Sequence, residues 1–461
     1  MQIEFAGAAR EVTGSCHIVR VNGKTILLDC GLFQGRRAES EAKNRRLPCP
    51  IAEIDAVVLS HAHLDHAGRL PFLAHAGYSR DIHATKATAD LTAIMLADSA
   101  RIQESDFEHL SRHGRPVAPP LYEVKDAARV EELMRRHGYG EWFDVLPGVR
   151  AKFTEAGHIL GSASIVVEAT ENGVVRRVVF SGDVGRPGLP IIRDAAPPTD
   201  GADLVIIEST YGDRDHESVA GARDNLARVV RETAARGGRI LIPAFAVGRA
   251  QEIVYDLHVL MRDGSIPRIP IVIDSPLATA ATAVFEHNVD LFDTTETPVR
   301  EIEKLFRFDQ MSFTNSSMES KALNARVGPV VIIAGSGMAE AGRIVHHLLH
   351  GASDPRNTVL IVGFQAEHTL GRRIVERQPT IRVLGQDVDL RAKVEVLSGY
   401  SAHGDRTELA NWLGAVRRGS PALKQVCLVH GEAKAQDAFA ARLRADGYAA
   451  TCPEPGNRIS V

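Results

Sequence analysis

The sequence predicts an α/β protein of more than one domain, and three features of its 461 residues lead to this prediction. The chain is too long for one ordinary hydrophobic core, so two or three domains are expected. From residue 211 to residue 367, strand-like apolar runs alternate with helix-like segments, which is typical of a parallel sheet covered by helices. Outside this range, several buried strand-like runs end in a histidine or a carboxylate. Strand ends of this kind are where α/β proteins form active sites.

Composition narrows the class of protein. Hydrophobic residues make up 44% and charged residues 24% of the chain, as in ordinary globular domains. The net charge of −4 argues against a basic surface, so any contact with nucleic acid would have to be local. The five cysteines are scattered without a Cys-x-x-Cys pair, which argues against a disulfide framework and favours a reducing compartment. Because we find neither a signal-like N-terminus nor an apolar run of membrane-spanning length, we expect a cytoplasmic protein.

The first part of the chain predicts strands and one long helix. Residues 1–31 read as strands joined by tight turns, and the third strand-like run closes on Asp29. Asp29 is either an ordinary turn former or a carboxylate that orients a metal-binding histidine from behind. Apolar residues at three- and four-residue spacing predict a helix over residues 86–113. Residues 149–155 and 163–169 again read as strands.

The densest set of candidate metal ligands follows the apolar run at residues 57–59. Four potential ligands lie within six positions, and they are His61, His63, Asp65 and His66. Imidazole and carboxylate groups suit zinc and related divalent ions. If a strand ends in a turn or helix start here, all four side chains can converge from a single loop. The pattern therefore predicts a metal site, with a chance cluster of surface histidines as the alternative.

Five further polar residues repeat this pattern later in the chain. Each one ends an apolar run, lies in a glycine-bounded turn or precedes a helix-like stretch. They are His158, Asp183, Glu208, His403 and His430. Caps and turn formers would account for one or two such residues, but a series at corresponding strand ends indicates one shared site. His403 taken alone would also fit an ordinary residue before the helix-like stretch 406–417.

The middle of the chain predicts a second domain over residues 211–367. Helix-like stretches at 219–236, 247–262 and 339–350 alternate with strand-like runs at 239–243, 270–274, 329–334 and 358–362. Ser336 and Gly337 lie between a strand and a helix start, where free backbone amides could hold a phosphate group. The segment lacks a full dinucleotide fingerprint, so an ordinary turn is the alternative.

The candidate ligands exceed the need of one tetrahedral zinc ion. They are His61, His63, Asp65, His66, His158, Asp183 and His430. Such a set suits two ions that share a carboxylate, because two metals roughly 3.5–4 Å apart can hold a hydroxide and clamp a phosphoryl oxygen during in-line attack. The leaving oxygen of a phosphodiester also needs a proton. A histidine aligned by a carboxylate can supply it near neutral pH, and His403 with Glu208 is the candidate pair.

These motifs resemble the metallo-β-lactamase superfamily and, within it, the β-CASP family of nucleic-acid-processing enzymes. The His-x-His-x-Asp-His motif at residues 61–66, His158 in its glycine loop and Asp183 in Ser-Gly-Asp match the superfamily. Three single residues match the β-CASP branch, and they are the acid Glu208 and the histidines His403 and His430. Four segments match it as well, at residues 12–15, 243–252, 274–278 and 429–432. The chain is most similar to bacterial and archaeal ribonucleases that resemble the endonuclease subunit of the eukaryotic pre-mRNA 3′-end cleavage factor.

The resemblance implies a metallo-β-lactamase αββα sandwich with an inserted β-CASP α/β parallel-sheet domain. The first part of the sandwich domain would span residues 1–210, the β-CASP domain 211–367, and the C-terminal part, with the RNA-metabolising motif, 368–461. One departure is His368, which stands where relatives usually have glycine. It leaves an altered hinge or an added substrate contact as alternatives.

The resemblance also implies two zinc ions per chain. One zinc would be bound by His61, His63 and His158, and the other by Asp65, His66 and His430, with Asp183 bridging and Asp29 in support. The implied catalytic residues are Asp65, Glu208 and His403. A homodimer is implied as well, although no residue of the sequence argues for it.

The leading interpretation is a zinc-dependent endoribonuclease that cleaves single-stranded RNA through a metal-bound hydroxide and leaves 5′-phosphate and 3′-hydroxyl ends. A 5′-to-3′ exoribonuclease is an alternative, in which Ser336, Gly337 and Ser401 would bind the terminal phosphate of the substrate. A metal-dependent hydrolase of small molecules would not need an insert of this size. A non-catalytic RNA-binding scaffold is expected to lose ligands, whereas this chain retains all seven.

Overall fold

A computed structural model describes residues 1–35, 37–112, 118–294, 305–314, 316–421 and 423–461. The chain forms two compact units. The first unit contains Met1–Pro187, Asp194–Asp215 and His403–Val461, and the second contains Gly188–Arg193 and His216–Ala402. Among the described residues, none of the helices combines the length and hydropathy needed to span a bilayer.

The strands and helices of the described residues have the following bounds. The strands are β1 (Gln2–Phe5), β2 (His17–Val21), β3 (Lys24–Leu28), β4 (Ala56–Val58), β5 (Ile82–Thr85), β6 (Met134–His137), β7 (Trp142–Leu146), β8 (Val149–Glu155), β9 (Ala163–Glu171), β10 (Val174–Phe180), β11 (Leu204–Glu208), β12 (Arg239–Pro243), β13 (Ile271–Ile273), β14 (Met311–Phe313), β15 (Val330–Ala334), β16 (Thr358–Ile361), β17 (Thr380–Val383), β18 (Gln386–Asp389), β19 (Lys393–Val396), β20 (Gln425–Val429), β21 (Ala450–Thr451) and β22 (Arg458–Ser460). The longer α-helices are Arg37–Asn44, Lys86–Arg112, Val124–Leu133, Val219–Ala235, Arg249–Arg262, Pro276–His287, Ser317–Ala325, Arg343–Gly351, Arg406–Arg418 and Ala433–Ala445. The short helices are Leu64–Ala67, Leu70–His75 and Leu370–Val375, with 3-10 turns at Ile51–Glu53, Val289–Leu291 and Ser398–Tyr400.

The first unit is a sandwich of two seven-stranded sheets, in the orders β22-β1-β2-β3-β4-β5-β6 and β21-β20-β11-β10-β9-β8-β7. Residues alternate between the two faces of a strand, so each sheet has an inner and an outer layer. Val178 and Ile206 belong to the core between the sheets, whereas Val179 and Ile207 pack on the other face against helices Arg406–Arg418 and Ala433–Ala445.

Helices cover the outer face of the other sheet as well. Leu70 and Leu96 lie in one apolar cluster with Ile18, Leu27 and Val57 of the first sheet. The layers therefore run helix, sheet, sheet, helix, and the predicted αββα sandwich is confirmed.

The parallel strands of each sheet bring its polar strand ends to one edge. In the second sheet, β10, β11 and β20 pair in parallel, and Asp183, Glu208 and His430 lie at or just after their carboxyl ends. In the first sheet, β3 and β4 pair in parallel, and Asp29 and His61 follow them. These edges carry the candidate site.

The second unit contains a six-stranded sheet in the order β14-β13-β15-β12-β16-β19. Every strand pair that the structure describes in it is parallel, which confirms the predicted parallel-sheet α/β architecture. The limits differ from the predicted range 211–367. Because β19 pairs with β16, the chain stays in this unit as far as Ala402. The predicted range also includes residues 295–304 and 315, which lie outside the described residues.

One helix of this unit begins later than predicted. We expected it over 339–350, but it spans Arg343–Gly351. Ala339 and Gly342 have φ values of 58° and 74°, and this left-handed conformation is incompatible with an α-helix. Ser336 and Gly337 therefore lie in a separate turn before the helix.

Candidate metal centre

Four of the predicted ligands converge in the first unit. His61, His63, His158 and Asp183 offer ligand atoms that all lie within 4.8 Å of one another. His63 Nδ1 lies 3.2 Å from His61 Nε2 and 3.1 Å from His158 Nε2. A tetrahedral zinc ion with Zn–N distances of about 2.0–2.1 Å places two nitrogens about 3.3 Å apart. The imidazole nitrogens thus have a spacing that fits a shared metal ion.

A second group of donors lies beside the first. It consists of Asp65, His66 and His430. His430 Nε2 lies 3.1 Å from His66 Nε2 and 3.4 Å from Asp65 Oδ2. His66 and His430 are almost completely buried, so they offer donor atoms that are shielded from water. This group could also hold a metal ion.

Asp183 faces both groups with different oxygen atoms. Its Oδ2 lies 3.4 Å from His61 Nε2, whereas its Oδ1 lies 3.3 Å from His66 Nε2. Asp183 is 2% exposed. A buried carboxylate with one oxygen on each side is the arrangement expected of a ligand shared between two metal ions.

Electrostatics keep three donors of the first group, His61, His63 and Asp183, in forms suited to a metal. Burial is the main cause that holds the pKa of His61 well below its usual range and lowers the pKa of His63 to about 4. Burial would raise the pKa of Asp183, but the neighbouring histidines, His430 first among them, hold it well below its usual value. Neutral imidazoles and an ionised carboxylate are the forms that bind metal.

Asp29 lies beside His66 of the second group, on the side of the ring away from His430. Its Oδ2 is 2.7 Å from His66 Nδ1, so the ring can direct Nε2 toward the donor cluster. Asp29 also accepts hydrogen bonds from the backbone N–H of Ser60 and from the hydroxyls of Ser60 and Ser15. These contacts fix the carboxylate, which is completely buried.

Two supporting residues were missed by sequence reasoning. Ser60 Oγ lies 3.0 Å from His61 Nδ1, and Thr210 Oγ1 lies 3.2 Å from His430 Nδ1. Each hydroxyl can set the tautomer of a candidate ligand. Ser60 directly precedes His61, but a serine beside a histidine is too common to signal this role. Thr210 is far from its histidine in the sequence, so its role depends on the fold.

The Glu208–His403 pair lies next to the donors. His403 Nδ1 is 3.0 Å from Oε1 and 3.1 Å from Oε2 of Glu208. The carboxylate also accepts the backbone N–H groups of Val184 and Thr210. Burial opposes a charge on His403, but the carboxylates of Glu208 and Asp183 outweigh it and raise the pKa of the ring to about 9. The ring therefore carries a transferable proton near neutral pH.

The predicted substrate-binding residues lie in the second unit and do not form one site through direct contacts. Ser336 Oγ accepts the backbone N–H groups of Glu340 and Ala341. Gly337 packs so closely that a Cβ atom there would lie 2.6 Å from the Phe245 ring. Ser401 is 1% exposed, and no hydrogen bond between described residues joins it to Ser336 or Gly337.

His368 also lies in the second unit. It has a φ of 68°, a conformation that glycine adopts more readily than other residues. With Arg372, Arg373 and Glu376, it lines an open cavity of about 370 Å³.

Three family models match successive parts of the chain. Residues 9–236 match the model described as the metallo-beta-lactamase superfamily. Residues 250–374 match the Beta-Casp domain. Residues 387–453 match the Zn-dependent metallo-hydrolase RNA specificity domain. The three matches follow the order that the resemblance predicted.

Three named relatives are similar to at least 93% of this chain. A ribonuclease of Thermus thermophilus is 40% identical over 438 residues, which cover 94% of this chain and 93% of the relative. The transcription termination factor FttA of Methanosarcina mazei is 30% identical over 446 residues, and this aligned region covers 94% of this chain and 67% of the relative. An RNase J-like protein of Methanocaldococcus jannaschii is 29% identical, with coverages of 93% and 92%.

The crystal structure of a protein of unknown function from Enterococcus faecalis has a TM-score of 0.56 to this chain. The match covers 99% of both chains at 12% identity and shows the fold alone. The family models and the ribonuclease relative go further, because the models match residues 9–236 and 250–374 and the relative is 40% identical over 94% of this chain. The chain belongs to the β-CASP ribonuclease family of the metallo-β-lactamase superfamily.

Proposed function

We propose that the protein is a two-zinc endoribonuclease that hydrolyses phosphodiester bonds of single-stranded RNA and leaves 5′-phosphate and 3′-hydroxyl ends. The observation that carries this proposal is the position of Asp183, with one oxygen toward each of two donor groups. The RNA specificity domain at residues 387–453 and the ribonuclease relative support RNA as the substrate.

The donor sets support two zinc ions rather than one. One ion would be held by His61, His63 and His158, and the other by Asp65, His66 and His430, with Asp183 shared between them. When bound, zinc supplies Lewis acidity at the phosphoryl oxygens and lowers the pKa of water toward about 7. Zinc suits a mixture of imidazole and carboxylate ligands, and the matched RNA specificity domain is described as Zn-dependent.

The chain's own residues supply the proton transfers. Burial would raise the pKa of Asp65, but the hydrogen bond to His430 and the charges of nearby histidines lower it to about 2. Asp65 is therefore ionised and can accept a proton from the attacking water. Glu208 holds Nδ1 of His403, so the ring donates its other proton, on Nε2, to the leaving O3′. The P–O3′ bond breaks, and the products carry a 3′-hydroxyl and a 5′-phosphate.

Zinc stoichiometry measured together with cleavage of a labelled single-stranded RNA tests this proposal. We expect two zinc ions per chain and products whose ends map as 5′-phosphate and 3′-hydroxyl. A purified protein that binds no zinc and cleaves nothing after zinc is supplied would contradict the proposal and favour an RNA-binding scaffold.

A further inference from the structure

The segment that follows Asp183 supports the Glu208–His403 pair. The backbone N–H of Val184 donates to Glu208 Oε1 over 2.8 Å. Gly185 pairs with His403 in an isolated antiparallel bridge. A single short segment therefore connects the shared candidate ligand with the candidate proton donor.

An ion pair between Arg186 and Glu408 lies beside the Gly185–His403 bridge. Arg186 Nε lies 3.3 Å from Oε1 and 3.2 Å from Oε2 of Glu408. The Arg186 side chain is 4% exposed and that of Glu408 is 17% exposed, so water competes little with the interaction. Between the two contacts, the backbone N–H of Gly404 donates to the carbonyl of Val184 over 2.7 Å.

Glu408 is held in place by the start of a helix. Its Oε2 accepts the backbone N–H of Asp405 over 2.8 Å, and Asp405 Oδ1 accepts the backbone N–H of Glu408 over 2.8 Å. This capping box begins helix Arg406–Arg418. Arg186 thus binds a carboxylate whose position is set by the N-cap residue Asp405, which lies two residues after His403.

We propose that the Arg186–Glu408 ion pair positions His403 as the proton donor. This inference rests on the proposed function. Arg186 and Glu408 are positioning residues, because they act through the backbone segments that carry Asp183 and His403. Without the ion pair, the His403 segment loses one of its attachments to the segment after Asp183, whereas the zinc ligands keep their own contacts. A displacement of about 1 Å at a reacting group can reduce the rate about 100-fold.

Variants of the full-length chain test this role. Arg186→Gln and Glu408→Gln remove the ion pair, and Glu408→Gln retains an oxygen that can accept the capping hydrogen bond. Arg186→Lys keeps the positive charge. Arg177→Gln is the matched control, because Arg177 Nε lies 2.5 Å from Glu168 Oε2 in the same unit.

Two substrates separate proton donation from the rest of the reaction. Each variant is assayed on a labelled single-stranded RNA and on bis(p-nitrophenyl) phosphate, whose leaving group departs without a proton. We expect kcat on RNA to fall about 10- to 100-fold in both glutamine variants, with KM, zinc content and activity on the nitrophenyl diester close to those of the wild type. Arg186→Lys should recover part of the loss, and Arg177→Gln should retain both activities.

Several outcomes would overturn the inference. Unchanged kcat on RNA in Arg186→Gln and Glu408→Gln would remove the pair from the mechanism. Equal losses on both substrates, or a loss of zinc, would assign the pair to the stability of the metal centre. If Arg186→Gln fails to fold, Glu408→Gln and Arg186→Lys decide the question. A failure of the proposed function is distinguishable, because the wild-type protein would then cleave no RNA after zinc is supplied.

Discussion

His403 Nδ1 lies 3.0 Å from Oε1 of Glu208, although the two residues are 195 positions apart in the sequence. Glu208 is completely buried, and the side chain of His403 is 15% exposed. The carboxylate of Glu208 is shielded from water, whereas the ring of His403 is partly accessible. This arrangement is expected of a proton donor that a neighbouring carboxylate aligns. The relationship gives the first prediction.

Replacement of His403 by alanine should reduce kcat on RNA by roughly 10²- to 10⁴-fold, which is the usual contribution of general acid catalysis. Zinc content should stay at the wild-type value, because the two donor groups described above do not require His403. Bis(p-nitrophenyl) phosphate should be hydrolysed at close to the wild-type rate, because its leaving group needs no proton. A large loss of zinc in this variant would instead identify His403 as a metal ligand.

Replacement of Asp183 by asparagine should lower zinc content and abolish cleavage of both substrates. The Asp183 carboxylate has one oxygen near His61 of the first donor group and the other near His66 of the second. The asparagine amide is uncharged and has a single oxygen, so it cannot serve as a ligand on both sides. Metal analysis of the dialysed protein measures the effect. Asp55→Asn is the control, because Asp55 binds Lys24 and Arg80 on the same unit. Wild-type zinc content in Asp183→Asn would contradict a shared ligand.

Replacement of Asp29 by asparagine should weaken zinc binding about 10- to 100-fold, the usual effect of removing a partner behind a ligand histidine. Asp29 Oδ2 lies 2.7 Å from His66 Nδ1, so the variant loses the carboxylate that orients this ring. Competition with a chelator measures the affinity. An affinity equal to that of the wild type would show that the ring is held by other contacts.

The candidate site contains metal ligands and residues that hold those ligands in place, and the sequence reveals the ligands more readily than the residues that hold them. His61, His63, Asp65 and His66 were predicted because they lie within six positions. Asp183 and His430 were predicted because each follows a recognisable buried strand, and parallel strands bring such ends together.

The supporting residues depend on contacts that leave no local signal. Thr210 and His430 are 220 positions apart, and Arg186 and Glu408 are 222 positions apart. The second unit also extends past the predicted limit at residue 367, because the short strand β19 pairs with β16 of its sheet. Sequence patterns therefore predict ligands at strand ends better than they predict the residues that hold those ligands.

The second unit should lose stability in acid through Asp274. Asp274 is completely buried and accepts hydrogen bonds from Thr314, Ser320 and Arg343 and lies 2.6 Å from His347 Nε2. Burial would raise its pKa, but these partners, His347 first, hold it well below the usual range. Because the folded pKa is depressed, the stabilisation is present above the unfolded pKa of about 3.9 and is lost as the pH falls below it.

Asp274→Asn tests this pH dependence. The variant should be less stable than the wild type at neutral pH, and the difference in the free energy of unfolding should shrink as the pH falls below about 4. Denaturant titrations at several pH values, all with a chelator present so that zinc release does not contribute, measure the difference. A difference that does not change with pH would contradict a charged Asp274 in the folded protein.

A circular single-stranded RNA should be cleaved by this protein. An endonuclease needs no free end, whereas a 5′-exonuclease needs a pocket that grips a terminal phosphate. Ser336, the residue expected to help form such a pocket, already uses its hydroxyl to accept two backbone N–H groups of its own turn. We therefore expect the circle to be opened and the linear product to carry a 5′-phosphate. Ser336→Ala should open the circle at the same rate as the wild type. An intact circle, together with stepwise loss of nucleotides from a 5′-monophosphorylated linear RNA, would contradict the endonuclease and establish the exonuclease.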